Sequence, residues 1–158
     1  MFVTTYRTRA AFTLLELIIV VVIIGIIAAI AVPRMSRGSS GAADKALASS
    51  LSIFRSAIDR YTAEHIGDFP SGAAVSDQLT KYTDIGGHVA DAKDATHIYG
   101  PYLFRAPPLP VGARKSCTGI AVIDGPGVGW IYTSAGGTIR ANCAAGECDI
   151  GGTEYRNY

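Results

Sequence analysis

Charge is scarce in this chain, and neither sign dominates. Asp, Glu, Lys and Arg make up 17% of 158 residues, with 14 basic against 13 acidic side chains. That balance lacks the basic excess of a nucleic-acid-binding domain, so no nucleic-acid partner is expected. Cysteine is scarce too. Three residues are too few for a disulfide scaffold, and an odd number leaves at least one thiol over. No Gly-x-Ser-x-Gly, P-loop or His-Glu-x-x-His string occurs. Gly125-Pro126-Gly127-Val128-Gly129 has the glycines of a phosphate cradle but neither a following helix nor Lys-Ser/Thr. His65, His88 and His97 are scattered and read as surface or helix-capping residues. With no catalytic constellation, an enzyme is not expected.

What the chain does have is one long apolar run. From Phe12 to Val32 only Thr13 and Glu16 interrupt it. That is longer than the apolar core of a secretory signal, about 7–15 residues. As a helix rising ~1.5 Å per residue it would reach roughly 31 Å, the hydrocarbon thickness of a bilayer. Arg7 and Arg9 precede it with no acidic residue nearby, which predicts a cytoplasmic N-terminus and an exported remainder. Glu16 is out of place in such a segment. A carboxylate at mid-bilayer costs about 2.5–3.5 kcal/mol on insertion scales, less near the interface, and an ionisable residue there defaults to a functional role.

The string Arg9-Ala10-Ala11-Phe12-Thr13-Leu14-Leu15-Glu16-Leu17, a hydrophobic helix, and then Val32-Pro33 resembles the N-terminus of type IV prepilins and type II secretion pseudopilins. The resemblance implies that a prepilin peptidase cuts between Ala11 and Phe12 and methylates the new amine. The family usually has Gly before the cut, where this chain has Ala11. It also implies that Phe12, Glu16 and Pro33 serve assembly, Pro33 lying at the family's helix kink. Phe12 and Glu16 are four residues apart and share one helix face. The amine can therefore pair with Glu16 of its own chain or, as in the family, of a neighbouring subunit, offsetting the burial penalty and setting register.

Beyond Pro33, Leu47, Leu51, Phe54, Ile58 and Tyr61 recur at spacings of 4, 3, 4 and 3. They predict an amphipathic helix over about 42–65, with Asp44, Lys45, Ser52, Arg55, Asp59 and Arg60 on the other face. One long helix, kinked near Pro33 and melted around residues 36–41, is the simplest arrangement. Residues 67–118 read as turns, a short helix over residues 76–82, a polar loop over residues 84–96 and a proline-rich extended segment. Three short strands follow, at residues 120–124, 129–133 and 138–142, with Ser134-Ala135-Gly136-Gly137 as a hairpin turn. The expected class is α+β: a long N-terminal helix, membrane-spanning in its first half, packed on a small antiparallel sheet. The expected divisions are a cytoplasmic leader at 1–11, a transmembrane or filament-core helix at 12–33, and a periplasmic domain at 34–158 with its sheet at about 119–142 and a C-terminal tail.

The exported side of a bacterial inner membrane is oxidising, so Cys117, Cys143 and Cys148 are disulfide candidates. Cys143 with Cys148, a bond to Cys117, and no bond all remain open. Asp124, Glu147, Asp149 and Glu154 lie in Gly-rich loops near the C-terminus and match no EF-hand. Because the resemblance implies calcium in that region for major pseudopilins, they are its candidate ligands, against ordinary solvated loop acids. Residues 99–103 together with the strands around Trp130 resemble the major pseudopilin more than an adhesive pilin. The implied function is a structural subunit of a type II secretion pseudopilus, a homo-oligomeric filament driving protein export. Its implied partners are prepilin peptidase, the inner-membrane secretion platform, minor pseudopilins and membrane lipid. The alternative is a true type IV pilin for adhesion, motility or DNA uptake. A membrane-tethered periplasmic binding module or enzyme is a third reading, which Glu16 opposes because a plain anchor needs no carboxylate there.

Overall fold

The spacing of apolar residues and the placement of turn formers account for the elements that form. The structure, a computed structural model, describes residues 12–158, apart from the side chains of residues 30–40. Its principal helix, α1, runs Leu14–Glu64. α1 is helical through residues 36–41, where melting was expected; the side chain of Pro33, where the kink was expected, and the leader lie outside the described residues. The chain divides into two units, Met1–Gly38 and Ser39–Tyr158.

In the second unit, the predicted stripe of α1 faces the core. Leu47, Leu51, Phe54, Ile58 and Tyr61 are all buried, joined by Ala57. They pack with Trp130, Tyr132, Ile139 and Ala141 from the sheet. Phe54 meets Trp130 edge-on, with ring centroids 4.9 Å apart. Burying an indole or a phenol requires a partner for its polar atom. Trp130 Nε1–H donates to the Pro107 carbonyl at 2.8 Å, and the Tyr132 hydroxyl to the Pro70 carbonyl at 2.9 Å. Those two bonds tie the otherwise irregular proline segments to the sheet. Burial pushes the Tyr132 hydroxyl up to about 12.

α1 ends in a turn in which Gly67 N–H donates to the Thr62 carbonyl at 2.9 Å, a closure that needs left-handed backbone. Here Gly67 is joined by Ile66, at φ 58° and 85% exposed. A β-branched residue in that region is strained.

A short helix, α2, spans Val75–Thr80. It stops two residues before the expected limit because Lys81 is extended and Tyr82 enters a strand. The region read as a polar loop holds a small hairpin: β1 (Tyr82–Thr83) pairs antiparallel with β2 (Val89–Ala90). Its turn is organised by Asp84, whose Oδ1 accepts from the amides of Gly86 and His88 at 2.9 Å each, an Asx arrangement. Gly87 is obligatory there. Its φ is +79°, and a Cβ would stand 2.5 Å from the Tyr61 hydroxyl oxygen and 2.7 Å from Gln78 Nε2.

The main sheet has the order β3 (Gly119–Ala121), β4 (Val128–Thr133), β5 (Thr138–Ala141). β4 and β5 form the predicted antiparallel hairpin, with Trp130 opposite Ala141 and Tyr132 opposite Ile139. β3, however, runs parallel to β4. Residues 122–127 loop out and return the chain to the start of the strand, so Gly119 N–H meets the Gly127 carbonyl at 3.0 Å. A side chain at Gly119 would come within 2.7 Å of that oxygen. The class remains α+β, a long helix with small sheets.

Leu51, 1% exposed, tests the packing. Leu51→Ala should cost about 2–5 kcal/mol. Leu51→Asp, which buries an unpaired charge, should abolish the cooperative transition of the second unit. A thermal melt of either variant that matches the unsubstituted chain would show that the stripe does not face the core.

Candidate functional site

Two regions collect the residues singled out by sequence. The first is the start of α1. Thr13 caps it: its Oγ1 accepts from the Glu16 amide at 3.2 Å, while its carbonyl accepts from the Leu17 amide at 3.2 Å. Thr13-Leu14-Leu15-Glu16 has the spacing of a capping box, a signal present in the sequence beside the intramembrane-charge and register readings of Glu16. Glu16 is thus at the helix's third position, where a carboxylate also complements the macrodipole.

Downstream of Thr13 every described side chain as far as residue 29 is exposed in the single chain. Phe12 is 76% exposed and Leu14 75%. A helix apolar all round has no solvated face and calls for an apolar environment or other helices. Among the described residues no helix is long and apolar enough to cross a membrane. Residues 14–29 would measure roughly 24 Å at ~1.5 Å per residue, whereas the expected span runs on to residue 33. Ala11 and the side chain of Pro33 lie outside the described residues.

The second region is the C-terminal loop, where the four candidate calcium ligands lie. Each carboxylate is already engaged by the protein. Asp124 accepts from Arg114 at 2.8 Å and Asn142 at 2.7 Å. Glu147 accepts from the Ala113 amide at 2.6 Å with one oxygen and from the Ala144 amide at 2.8 Å with the other. Asp149 accepts from the Thr153 amide at 2.8 Å and from the Tyr158 hydroxyl. Glu154 accepts from the Gly146 amide at 2.9 Å and from Arg156 at 2.6 Å. Among the described residues no three His, Cys, Asp or Glu side chains converge as a metal site would need. As arranged, the four carboxylates are engaged by donors of the protein itself. They act as caps for amides that a loop leaves unpaired.

α1 reaches this loop as well. Asp44 Oδ1 accepts from the Tyr155 hydroxyl at 2.8 Å, and Arg55 donates to the Tyr158 backbone oxygen at 2.9 Å. The face of α1 read as solvated thus holds down the C-terminal segment at two points.

Cys117, Cys143 and Cys148 all carry free thiols, so no pairing considered from the sequence is formed. Glu147 and Glu154 close the Cys143–Cys148 loop instead, through the bonds just described. Burial first, and then the Glu147 carboxylate, push the Cys143 thiol up to about 11. It stays protonated and unreactive at neutral pH.

His65 departs from its reading as a surface residue. It is 1% exposed and stacks on Tyr61, with centroids 3.7 Å apart and planes within 4°. Its Nδ1 meets the Tyr61 carbonyl at 2.8 Å and its Nε2 meets Thr83 Oγ1 at 3.1 Å. A carbonyl only accepts, so Nδ1 carries the proton and, in the neutral ring, Nε2 accepts from Thr83.

Residues 6–32 match the family model described as the prokaryotic N-terminal methylation motif. The chain carries a type IV pilin-like N-terminus. The motif is one processed by prepilin peptidase, it implies an N-terminal anchor in the membrane, and pilin-like proteins are structural subunits that form filaments. No curated protein and no solved structure matches this chain.

The capped acids give the domain a defined acid sensitivity. Hydrogen bonds hold Asp84, Asp94, Asp124, Asp149 and Glu154 below their ordinary values. The leading causes are the His88 amide for Asp84, the His97 amide for Asp94, the Asn142 side chain for Asp124, the Tyr158 hydroxyl for Asp149 and the Gly146 amide for Glu154. A depressed folded value means that the unfolded chain takes up protons first. The stabilisation is therefore complete above the ordinary values of 3.8 and 4.5 and is lost as pH falls through the lower folded ones. Melting temperature should hold from about pH 7 to about pH 5 and fall steadily below that. A flat profile down to about pH 2 would show that these caps do not stabilise the fold.

Proposed function

We propose that the protein is a structural subunit of a membrane-anchored filament, assembled through its N-terminal helix. The observation that carries this reading is the methylation motif over residues 6–32, leading into a helix with no polar face of its own. Cleavage between Ala11 and Phe12 would leave a positive amine at the start of that helix, one turn from Glu16. Pairing of this amine with Glu16 of an adjacent subunit would offset the burial of both charges and fix the axial step, as a single buried polar residue fixes register in a coiled coil. The remainder of the chain, at 34–158, would then be displayed on the periplasmic side of a bacterial inner membrane.

Within this reading we favour the pseudopilus of a type II secretion system, which pushes folded proteins outward, over an adhesive or motile pilus. The support is the likeness of residues 99–103 and the strands around Trp130 to major pseudopilins. Deleting the gene should then abolish export of secreted proteins. Loss of surface pili with export intact would select the pilus instead.

Two measurements test the assembly chemistry. Intact mass from membranes should show a chain beginning at Phe12 with a methylated amine. A protein still beginning at Met1, or beginning beyond Val32, would end the prepilin reading. Glu16→Ala should preserve or improve insertion, since it removes a charge costing up to about 3 kcal/mol in lipid, yet reduce filament yield by at least about tenfold. Normal filaments from that variant would refute the register role.

A further inference from the structure

From Asn142 to Tyr158 no residue is buried, yet this stretch is pinned to α1 by four contacts. The Ile150 side chain lies against Gly41, where a Cβ would meet its Cδ1 at 3.5 Å. One oxygen of Asp44 accepts from the Ile150 amide at 3.3 Å, and the other from the Tyr155 hydroxyl at 2.8 Å. About three turns further along α1, Arg55 donates to the Tyr158 backbone oxygen at 2.9 Å. The stretch is also braced internally. Asp149 accepts from the Tyr158 hydroxyl and from the Thr153 amide at 2.8 Å, and the Tyr155 amide donates to the Glu147 carbonyl at 3.0 Å. Tyr155 and Tyr158 rest on the edge of the core without entering it.

What this strap holds is the least supported part of α1 in the second unit. The first buried residue there is Leu47. Ahead of it Ala42, Lys45 and Ala46 are exposed, and Ala43 is only partly buried. Gly41 and the preceding Ser39-Ser40 are poor helix formers. Residues 41–46 therefore owe their place to Asp44 and Gly41, the two positions that the strap grips. The grip itself consists of polar bonds and one exposed Ile150, 61% accessible, rather than buried apolar area. A segment fastened in that way opens at a lower free energy than the core on which it lies.

We propose that the C-terminal strap is a latch on the helix. Closed, it keeps residues 41–46 helical. Open, it releases them together with itself, while the stripe from Leu47 to Tyr61 stays packed on β4 and β5. Asp44 couples the two segments, because Ile150 and Tyr155 both bind its carboxylate. A residue that passes from helix to extended chain adds roughly 2 Å of length, so opening the latch lengthens this stretch without unfolding the core. The latch does not depend on the filament reading.

The test is hydrogen exchange, followed by mass spectrometry, on the full chain in detergent. In the unsubstituted chain, amides 42–47 and 148–158 should share one opening, with protection at least about tenfold below that of residues 54–61, β4 and β5. Asp44→Ala is the decisive variant, because the two possible roles of Asp44 predict opposite signs. Alanine forms helix better than aspartate, so a residue acting only within its own helix predicts slower exchange over 42–47 on substitution. Loss of the latch predicts exchange several-fold faster there, with a matching acceleration over 148–158. Tyr155→Phe leaves α1 unaltered and should accelerate both segments in the same way, which keeps the test decisive if Asp44→Ala misfolds. Slower exchange over 42–47 in Asp44→Ala, acceleration confined to one segment, or protection of 42–47 equal to that of β4 would each overturn the proposal.

Discussion

The contact between one stripe of α1 and the inner face of β4 and β5 is the condition for everything else in the second unit. Trp130 and Tyr132 cannot be buried against Phe54 and Ile58 unless their polar atoms find partners, and those partners are the carbonyls of Pro107 and Pro70. Two stretches of chain with little regular structure are thereby positioned by the needs of two aromatic side chains. The Tyr61–His65 stack at the end of α1 inherits its place from the same contact, since Tyr61 is the last residue of the stripe and His65 sits one turn further on.

The residues 12–29 obey a different rule. There the helix has no side that prefers water, so its stability in place comes from surroundings the single chain does not supply. The two stretches of α1 thus differ in what completes them: the second by its own sheet, the first by lipid or by copies of itself. A carboxylate at Glu16 complements the start of that stretch in either case.

Periodicity made the helical stripe legible in the sequence: all five residues at 4, 3, 4, 3 spacing are buried. The β4–β5 hairpin was legible from its glycine turn. What the sequence hid depends on contacts distant along the chain. The parallel pairing of β3 is set by how residues 122–127 loop out, which no local pattern encodes. The burial of His65 depends on Thr83 and Tyr99 arriving beside it. For the C-terminal acids, the sequence shows that oxygen atoms are present but not which donors engage them. Glu147 is the clearest instance, with each oxygen taken by a backbone N–H.

Ile66 carries a consequence for how this protein tolerates change. It holds a left-handed backbone that glycine adopts freely, and its side chain lies almost wholly in solvent. The chain therefore forgoes about 1–2 kcal/mol at a position where its own fold asks for no side chain. Natural sequences drift toward such concessions whenever stability exceeds what function requires. The turn after α1 is accordingly a reserve for engineering: a hardier scaffold can be drawn from it without touching the core, the cap at Thr13 or the strap at the C-terminus.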